Sequence, residues 1–426
     1  MGLLMAAHFL CLSDVNAATI LAESCSQTDV QAAINSASSG DVVLIPSGTA
    51  TWTTSVSIPD NKKITLMGGG YDNTVIKSNV TAVEMNHSGS RLTELGFEIP
   101  STTSEIILVI AKGIGWRVDH CKFTNKTEAR SAGVVASGMN SLVSPRGVVD
   151  HCIFYYCKTG TLGMGNFNTQ SAEWAAPLGL GTDDAMYIED CIFYYDGRGN
   201  CVDTNRGGKY VFRYNTVYDA DIMAHSLQAA NERASRKWEI YNNTIIGNGL
   251  RWDWFFIRGG TGVAFNNTVK GSWGIMTTPG VNSLPYLVLD NRRSGDNVTF
   301  KASDNMTTAG LCDGDNVNDG NEPGQGGYPC RDQIGRSTDQ SLWTSGAPYP
   351  PQELNPAYFW NNKYESGDEL GVYIHTNNSA GHIQENRDYY LGVAKPDYTP
   401  YTYPHPLVSG EQEKPGAPTN LRAAQP

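Results

Sequence analysis

The chain is short of positive charge. Its 426 residues carry 31 Lys and Arg against 43 Asp and Glu, a formal net charge of −12. A protein with that balance is not built, as a whole, to bind nucleic acid. The chain also lacks a long apolar run at its start: the stretch from Leu3 to Leu12 is too short to span a bilayer. It is followed by Asn16-Ala-Ala18, a small-residue cleavage pattern, so residues 1–18 are expected to be a secretory signal peptide even though the usual basic start is missing. No CxxC or Cys/His spacing reads as zinc, and no nucleophile elbow is found.

What is present is a repeat. Six stretches share an alternating apolar strand, a polar residue, then Cys or Thr, then another apolar residue. They are Trp116-Arg-Val-Asp-His-Cys-Lys-Phe123, Gly147-Val-Val-Asp-His-Cys-Ile-Phe154, Tyr187-Ile-Glu-Asp-Cys-Ile-Phe193, Phe212-Arg-Tyr-Asn-Thr-Val217, Glu239-Ile-Tyr-Asn-Asn-Thr-Ile245 and Val263-Ala-Phe-Asn-Asn-Thr-Val269. Aligned on Cys121, Cys152, Cys191, Thr216, Thr244 and Thr268, the period is 24 to 39 residues. A recurring period of that size marks a stacked-repeat protein, and the period-2 alternation makes each repeat a coil of strands. One solenoid then absorbs most of the length, which argues against several separate cores. The expected fold is all-β, a parallel β-solenoid over residues 19–408 with a helix at its N-terminal end. That helix is read from Ser26-Gln-Thr-Asp-Val-Gln-Ala-Ala-Ile-Asn-Ser-Ala, with Ser26 or Thr28 as N-cap. It would cover strand edges that otherwise invite association.

In this alignment His120, His151, Asp190, Asn215, Asn243 and Asn267 share the position just before the Cys or Thr. Polar residues stacked coil on coil can bond each other and the turn backbone, so they are expected to form a ladder. The ladder accounts for His120 and His151 as structural, and for the glycosylation-like Asn242-Asn-Thr244 and Asn266-Asn-Thr268. Cys121, Cys152 and Cys191 should stack inside as small hydrophobes. Of the nine cysteines, Cys312 and Cys330 bracket an acidic loop and are expected to pair; Cys157 with Cys201 is a weaker pairing, and Cys25 has no evident partner. Within that loop Asp313, Asp315 and Asp319 offer oxygens to Ca²⁺, without the Glu that completes an EF-hand. The Pro-rich segment Asp397-Tyr-Thr-Pro-Tyr-Thr-Tyr-Pro-His-Pro406 should run as an extended strap over the surface. Residues 409–426 read as a linker and the opening strand of a fibronectin type III-like module.

The helix, the strand Asp41-Val-Val-Leu-Ile-Pro46, the Asn ladder and the Asp-His-Cys coils together resemble the right-handed parallel β-helix of the pectin-lyase-like superfamily, over about residues 20–408. That group holds polysaccharide lyases, glycoside hydrolases, phage tailspikes and adhesins, so the resemblance implies a fold more than a reaction. Val118-Asp-His-Cys121 and Val149-Asp-His-Cys152 resemble the Ile-Asp-His stretch of pectate lyases. That family's downstream calcium-ligand and Arg pattern is not found, so its catalysis is not carried to Asp119, His120, Asp150 or His151.

The segment from Arg198 to Arg258 is where the charge balance reverses, with nine Lys or Arg against six Asp or Glu. Positive charge gathered on one flank of an acidic protein suits recognition of a polyanion. Side chains at matching positions of adjacent coils should stand ~5 Å apart, so His225, Arg233, Arg236 and Arg258 are the expected catalytic group. Lys209 and Arg251 are expected to bind substrate, with Trp238, Trp252 and Trp254 offering flat faces to sugar rings. Asp203, Asp219 and Asp221 are candidate Ca²⁺ ligands bridging a substrate carboxylate. Cleavage of a uronate polymer by β-elimination needs this kit: an Arg fork on the carboxylate and a base near neutral pKa. Three readings stand: such a lyase of an extracellular acidic polysaccharide, a non-catalytic glycan-binding adhesin or structural protein, and a hydrolase using a carboxyl pair from Asp183, Asp184 and Asp203. The Arg residues can also simply pair with the local acids.

Overall fold

The computed structural model describes residues 17–100, 105–125, 131–138, 144–164, 170, 173–174, 176–196, 199–226, 233–249, 251–274, 285–290, 332–337, 353–374, 383–409 and 421–423. The strands fall into three long sheets of 13, 10 and 10 strands, and every ladder in them is parallel. Through most of each sheet a strand pairs with the one three strands later in the chain. The backbone therefore visits the three sheets in turn and starts again one strand spacing further on, which is a parallel β-helix. One coil runs Met186–Glu189 in the first sheet (sheet I), Ile192–Tyr194 in sheet III, Asn200–Asn205 in sheet II, and returns to sheet I at Lys209–Arg213.

Side chains on alternate positions fill the interior. Phe97, Phe123, Phe154 and Phe193 stack with centroids 5.3, 5.0 and 4.6 Å apart. These distances are one strand spacing, so identical residues in register meet as plates. The helix Gln27–Ser36 begins at Ser26, whose hydroxyl accepts from the Asp29 amide, and it buries Val30, Ala33 and Ile34. Among the described residues no helix is long and apolar enough to cross a membrane.

The Asn ladder is present, with a register one residue from the expected one. Thr216, Thr244 and Thr268 pair in sheet III with Ile192 and each other, not with the cysteines. Cys191 instead lies at the level of Asn215, Asn243, Asn267 and Asn362, whose side chains accept backbone amides coil to coil: Cys191 N to Asn215 at 2.9 Å, Asn215 N to Asn243 at 2.9 Å, Asn243 N to Asn267 at 3.1 Å. His120, His151 and Asp190 belong one step earlier, with Tyr214, Asn242 and Asn266, all at φ of 50 to 58°. They are corner residues in the left-handed region, outside the ladder. In both sequons the first Asn is the corner residue and the second is the buried rung. The spacing of the inward apolar residue carried the signal: it follows Cys by two residues but Thr by one.

Cys121, Cys152, Cys157, Cys191 and Cys201 are buried free thiols, as Cys25 is a part-buried one. The expected Cys157–Cys201 bond is therefore absent, and the Cys201 thiol donates instead to the Asp221 carbonyl at 3.3 Å. Cys312, Cys330 and the loop carboxylates Asp313, Asp315 and Asp319 lie outside the described residues, as do residues 1–16. Leu421–Ala423 forms a short strand beside Thr19–Leu21.

Candidate functional site

Sheet I is roofed. Residues 398–408 cross its outer face as the expected strap, running back from the Phe265 coil to the Arg117 coil. Tyr398 donates to Glu239 at 2.6 Å, and His405 N donates to Glu189 at 2.8 Å. The Arg213 guanidinium reaches the Tyr401 and Thr402 carbonyls at 2.8 Å each. Beneath the strap, charges pair across coils: Arg91 with Asp119 at 2.7 Å, Arg117 with Asp150 at 2.8 Å, and Arg213 with Glu189 at 2.6 Å. Burial would raise the Asp119 carboxyl, but hydrogen bonds from Arg91 and His120 outweigh it and hold the group well below the usual range. His120 and His151 stack at 5.0 Å, each with Nδ1 on the preceding Asp at 2.8 and 2.9 Å. The Asp-His-Cys motifs thus build this wall.

The outer face of sheet II differs. Asp203 projects outward from Asn200–Asn205 and accepts from Lys158, on the strand before, at 3.2 Å. Its other oxygen has no hydrogen-bond partner among the described residues and stands 3.8 Å from His225 Nδ1. His225 and Arg258 immediately follow the strands Asp221–Ala224 and Asp253–Ile257, which pair in register Ala224 to Ile257. The two side chains therefore occupy the same level of successive coils, as expected from the sequence. Arg258 lies over the Phe256 ring at 5.3 Å and donates to the Met223 sulfur at 3.2 Å. Burial alone would raise the Asp203 carboxyl, yet His225, Lys158 and Arg258 together hold it down at about 2. Gly160 permits this packing, since a Cβ there would run into the Asp203 carbonyl oxygen. Asp203 is thus an anion bonded by Lys158, with His225 at 3.8 Å and the Arg258 charge acting on it, the last two side chains being themselves buried.

The other expected site residues are placed elsewhere. Arg233 is fully buried and forked onto Asp332 at 2.6–3.0 Å. Arg236 is equally buried; it lies 5.2 Å over the Trp174 ring and donates to the Ala176 carbonyl. Neither presents its guanidinium to a substrate. Lys209 is held between Glu173 and Asp184. Arg251 binds Asp221 at 2.8 Å and Asp253 at 3.2 Å. Trp238 and Trp254 are fully buried in the interior, so they are core and not sugar platforms; Trp252 is half-buried beside Tyr373. The positive segment is thus distributed over several walls, with Lys209, Arg213, Arg233 and Arg251 each held by acids.

The calcium reading of Asp203, Asp219 and Asp221 does not fit. Val202 pairs with Ile222, which sets Asp203 opposite Met223, two positions past Asp221. Asp203 is taken by Lys158, Asp221 by Arg251, and Asp219 accepts the Asn248 amide at 2.5 Å. Among the described residues no three His, Cys, Asp or Glu side chains group to hold a metal ion. Of the carboxyls in the hydrolase reading, Asp184 binds Lys209 at 2.7 Å, Asp183 lies 3.9 Å from Arg146, and Asp203 accepts from Lys158 at 3.2 Å. Lys158 escaped notice in the sequence. It lies 45 residues before its partner, in a stretch without unusual composition, and only the sheet II register brings it in.

No protein-family model matches the chain, and no curated protein matches it. Solved structures similar to it include an alginate lyase from Paenibacillus sp. str. FPU-7, at 11% identity and TM-score 0.39, covering 84% of this chain and 99% of that one. A PL6 family polysaccharide lyase from Pseudopedobacter saltans aligns at 13% identity and TM-score 0.39, over 95% and 91% of the two chains. The catalytic domain of a GH87 α-1,3-glucanase aligns at 9% identity and TM-score 0.26, over 92% and 70%. All are distant likenesses; the parallel β-helix rests on this chain's own three-sheet topology.

Proposed function

We propose that the outer face of sheet II binds an acidic, uronate-containing polysaccharide and cleaves it by β-elimination. The observation that carries this reading is the cluster of His225, Arg258 and Lys158 around one buried-edge carboxylate. The Arg258 fork is suited to a uronate carboxylate, and neutralising that charge stabilises the carbanion formed at C5. His225, whose Nδ1 faces the Asp203 carboxylate at 3.8 Å, takes the C5 proton through Nε2. The electron pair left at C5 forms the C4–C5 double bond as the C4–O bond breaks, and the departing oxygen takes a proton from the imidazolium or from Lys158. Asp203 is a positioning residue, keeping His225 and Lys158 in place while remaining ionised itself. No metal enters these steps.

The same reading places the protein outside the cell after removal of residues 1–18. It makes the solenoid right-handed, as nearly all parallel crossovers are, and gives Gln27–Ser36 the role of an end cap. The test is incubation with pectate, alginate and glycosaminoglycans while following the ultraviolet absorbance of the conjugated unsaturated uronate product. A rise on at least one polymer is expected. New reducing ends without absorbance would establish hydrolysis instead, and binding without either would establish an adhesin.

A further inference from the structure

We infer that Trp252, Tyr286 and Tyr373 form a sugar platform that grips the polysaccharide on one side of the scissile bond only, the side toward the last coils. This rests on the assignment of the Asp203 cluster as the substrate site and gives that site a direction.

The outward positions of sheet II form one column in register. On the early side it reads Ser57, Glu84, Ile110, Val135 and Gly160 before reaching Asp203. On the late side it reads Met223, Phe256, Val288 and Tyr373. Among these residues the early half has no ring, and its one acid, Glu84, is paired with Lys112 at 3.6 Å. The late half begins at the two side chains that touch Arg258, so it is continuous with the proposed centre. By strand spacing, Phe256 lies ~10 Å and Tyr373 ~19 Å from Asp203, the span of several sugar rings.

Ring geometry separates this cluster from the other aromatic stripe of the solenoid. Tyr155, Tyr194 and Tyr218 on sheet III stack at 4.7 and 4.8 Å with interplanar angles of 10° and 7°, so they cover one another's faces. Tyr373 meets Trp252 at 5.8 Å and 87°, and Tyr286 at 5.7 Å and 52°. All three rings are half-buried, above the fully buried Val288. Edge contacts of this kind fix the rings without stacking them face to face, which is what a pyranose needs to lay its C–H face on an aromatic plane.

The experiment uses uronate oligomers of defined length, from dimer to octamer, with wild type, Trp252→Ala, Tyr373→Ala and the conservative Trp252→Phe. Each alanine variant should raise KM for long oligomers by roughly 2–10-fold, with a smaller change for the dimer and partial rescue in Trp252→Phe. An equal change at every length, or none at any length, overturns the platform. Affinity electrophoresis through each polymer separates this inference from the reaction it rests on. If wild type is retarded without cleaving and Trp252→Ala loses the retardation, the platform stands and the elimination falls. If retardation survives in both alanine variants, the platform falls whatever the reaction.

Discussion

Sheets I and II are built from the same coils, yet their outer faces have opposite fates. On sheet I Arg91, Arg117 and Arg213 each meet a carboxylate of an adjacent coil at 2.6–2.8 Å, and the strap supplies further acceptors to Arg117 and Arg213. On sheet II one carboxylate is shared loosely among Lys158, His225 and Arg258, with an oxygen that no described donor satisfies. A fully satisfied buried network specifies structure, whereas an incompletely satisfied one marks a place reserved for something else. Conspicuous motifs are therefore poor guides here: the paired Asp-His-Cys triplets belong to the sealed face, and the less conspicuous Lys158 and His225 to the other.

Several substitutions would break or sharpen that contrast. His225→Ala should lower the elimination rate by about 10²–10⁴-fold, the range for loss of a general base, with the fold retained by circular dichroism. Arg258→Lys should cost about 10²–10³-fold, because an ammonium cannot fork a carboxylate. On sheet I the expected losses are in stability. Arg213→Ala strands Glu189 beneath the strap and should destabilise by about 3–5 kcal/mol, read as a lowered urea midpoint. Asn243→Ala removes one rung of the ladder and should cost about 1–3 kcal/mol, since the Asn215 amide is left buried and unpaired.

The two faces also differ in acid. Burial and the Arg213 charge depress the His405 imidazole from 6.5 to about 4. The unfolded chain therefore takes up a proton that the folded strap resists, and stability falls as pH drops from 6.5 toward 4. His405→Gln should flatten the denaturation midpoint over that window. Asp203 is depressed from 3.8 to about 2, so its contribution is present above 3.8 and is lost only as pH falls through the lower window. Asp203→Asn should leave the slope between 6.5 and 4 intact.

The solenoid was legible because strand alternation, a fixed period and stacked polar residues all recur along the chain. The strap was legible because Pro400, Pro404 and Pro406 cannot sit in a central strand. The rung register was misread because Cys and Thr are both small and mark different levels of the corner. The site was legible in part. His225 and Arg258 follow equivalent strands, so matching them by coil works. Arg233 has the same composition signal, and its partner Asp332 lies 99 residues away, beyond anything local pattern can reveal. Trp238 and Trp254 point inward by strand parity, which was available once the strands were placed but not from aromatic content alone.

The most direct measurement compares initial rates of unsaturated-uronate production by His225→Ala and His151→Ala on whichever polymer wild type cleaves. The account predicts that His225→Ala loses the activity while His151→Ala retains it. Loss in His151→Ala with activity kept in His225→Ala would place the chemistry on the strapped face and contradict the account.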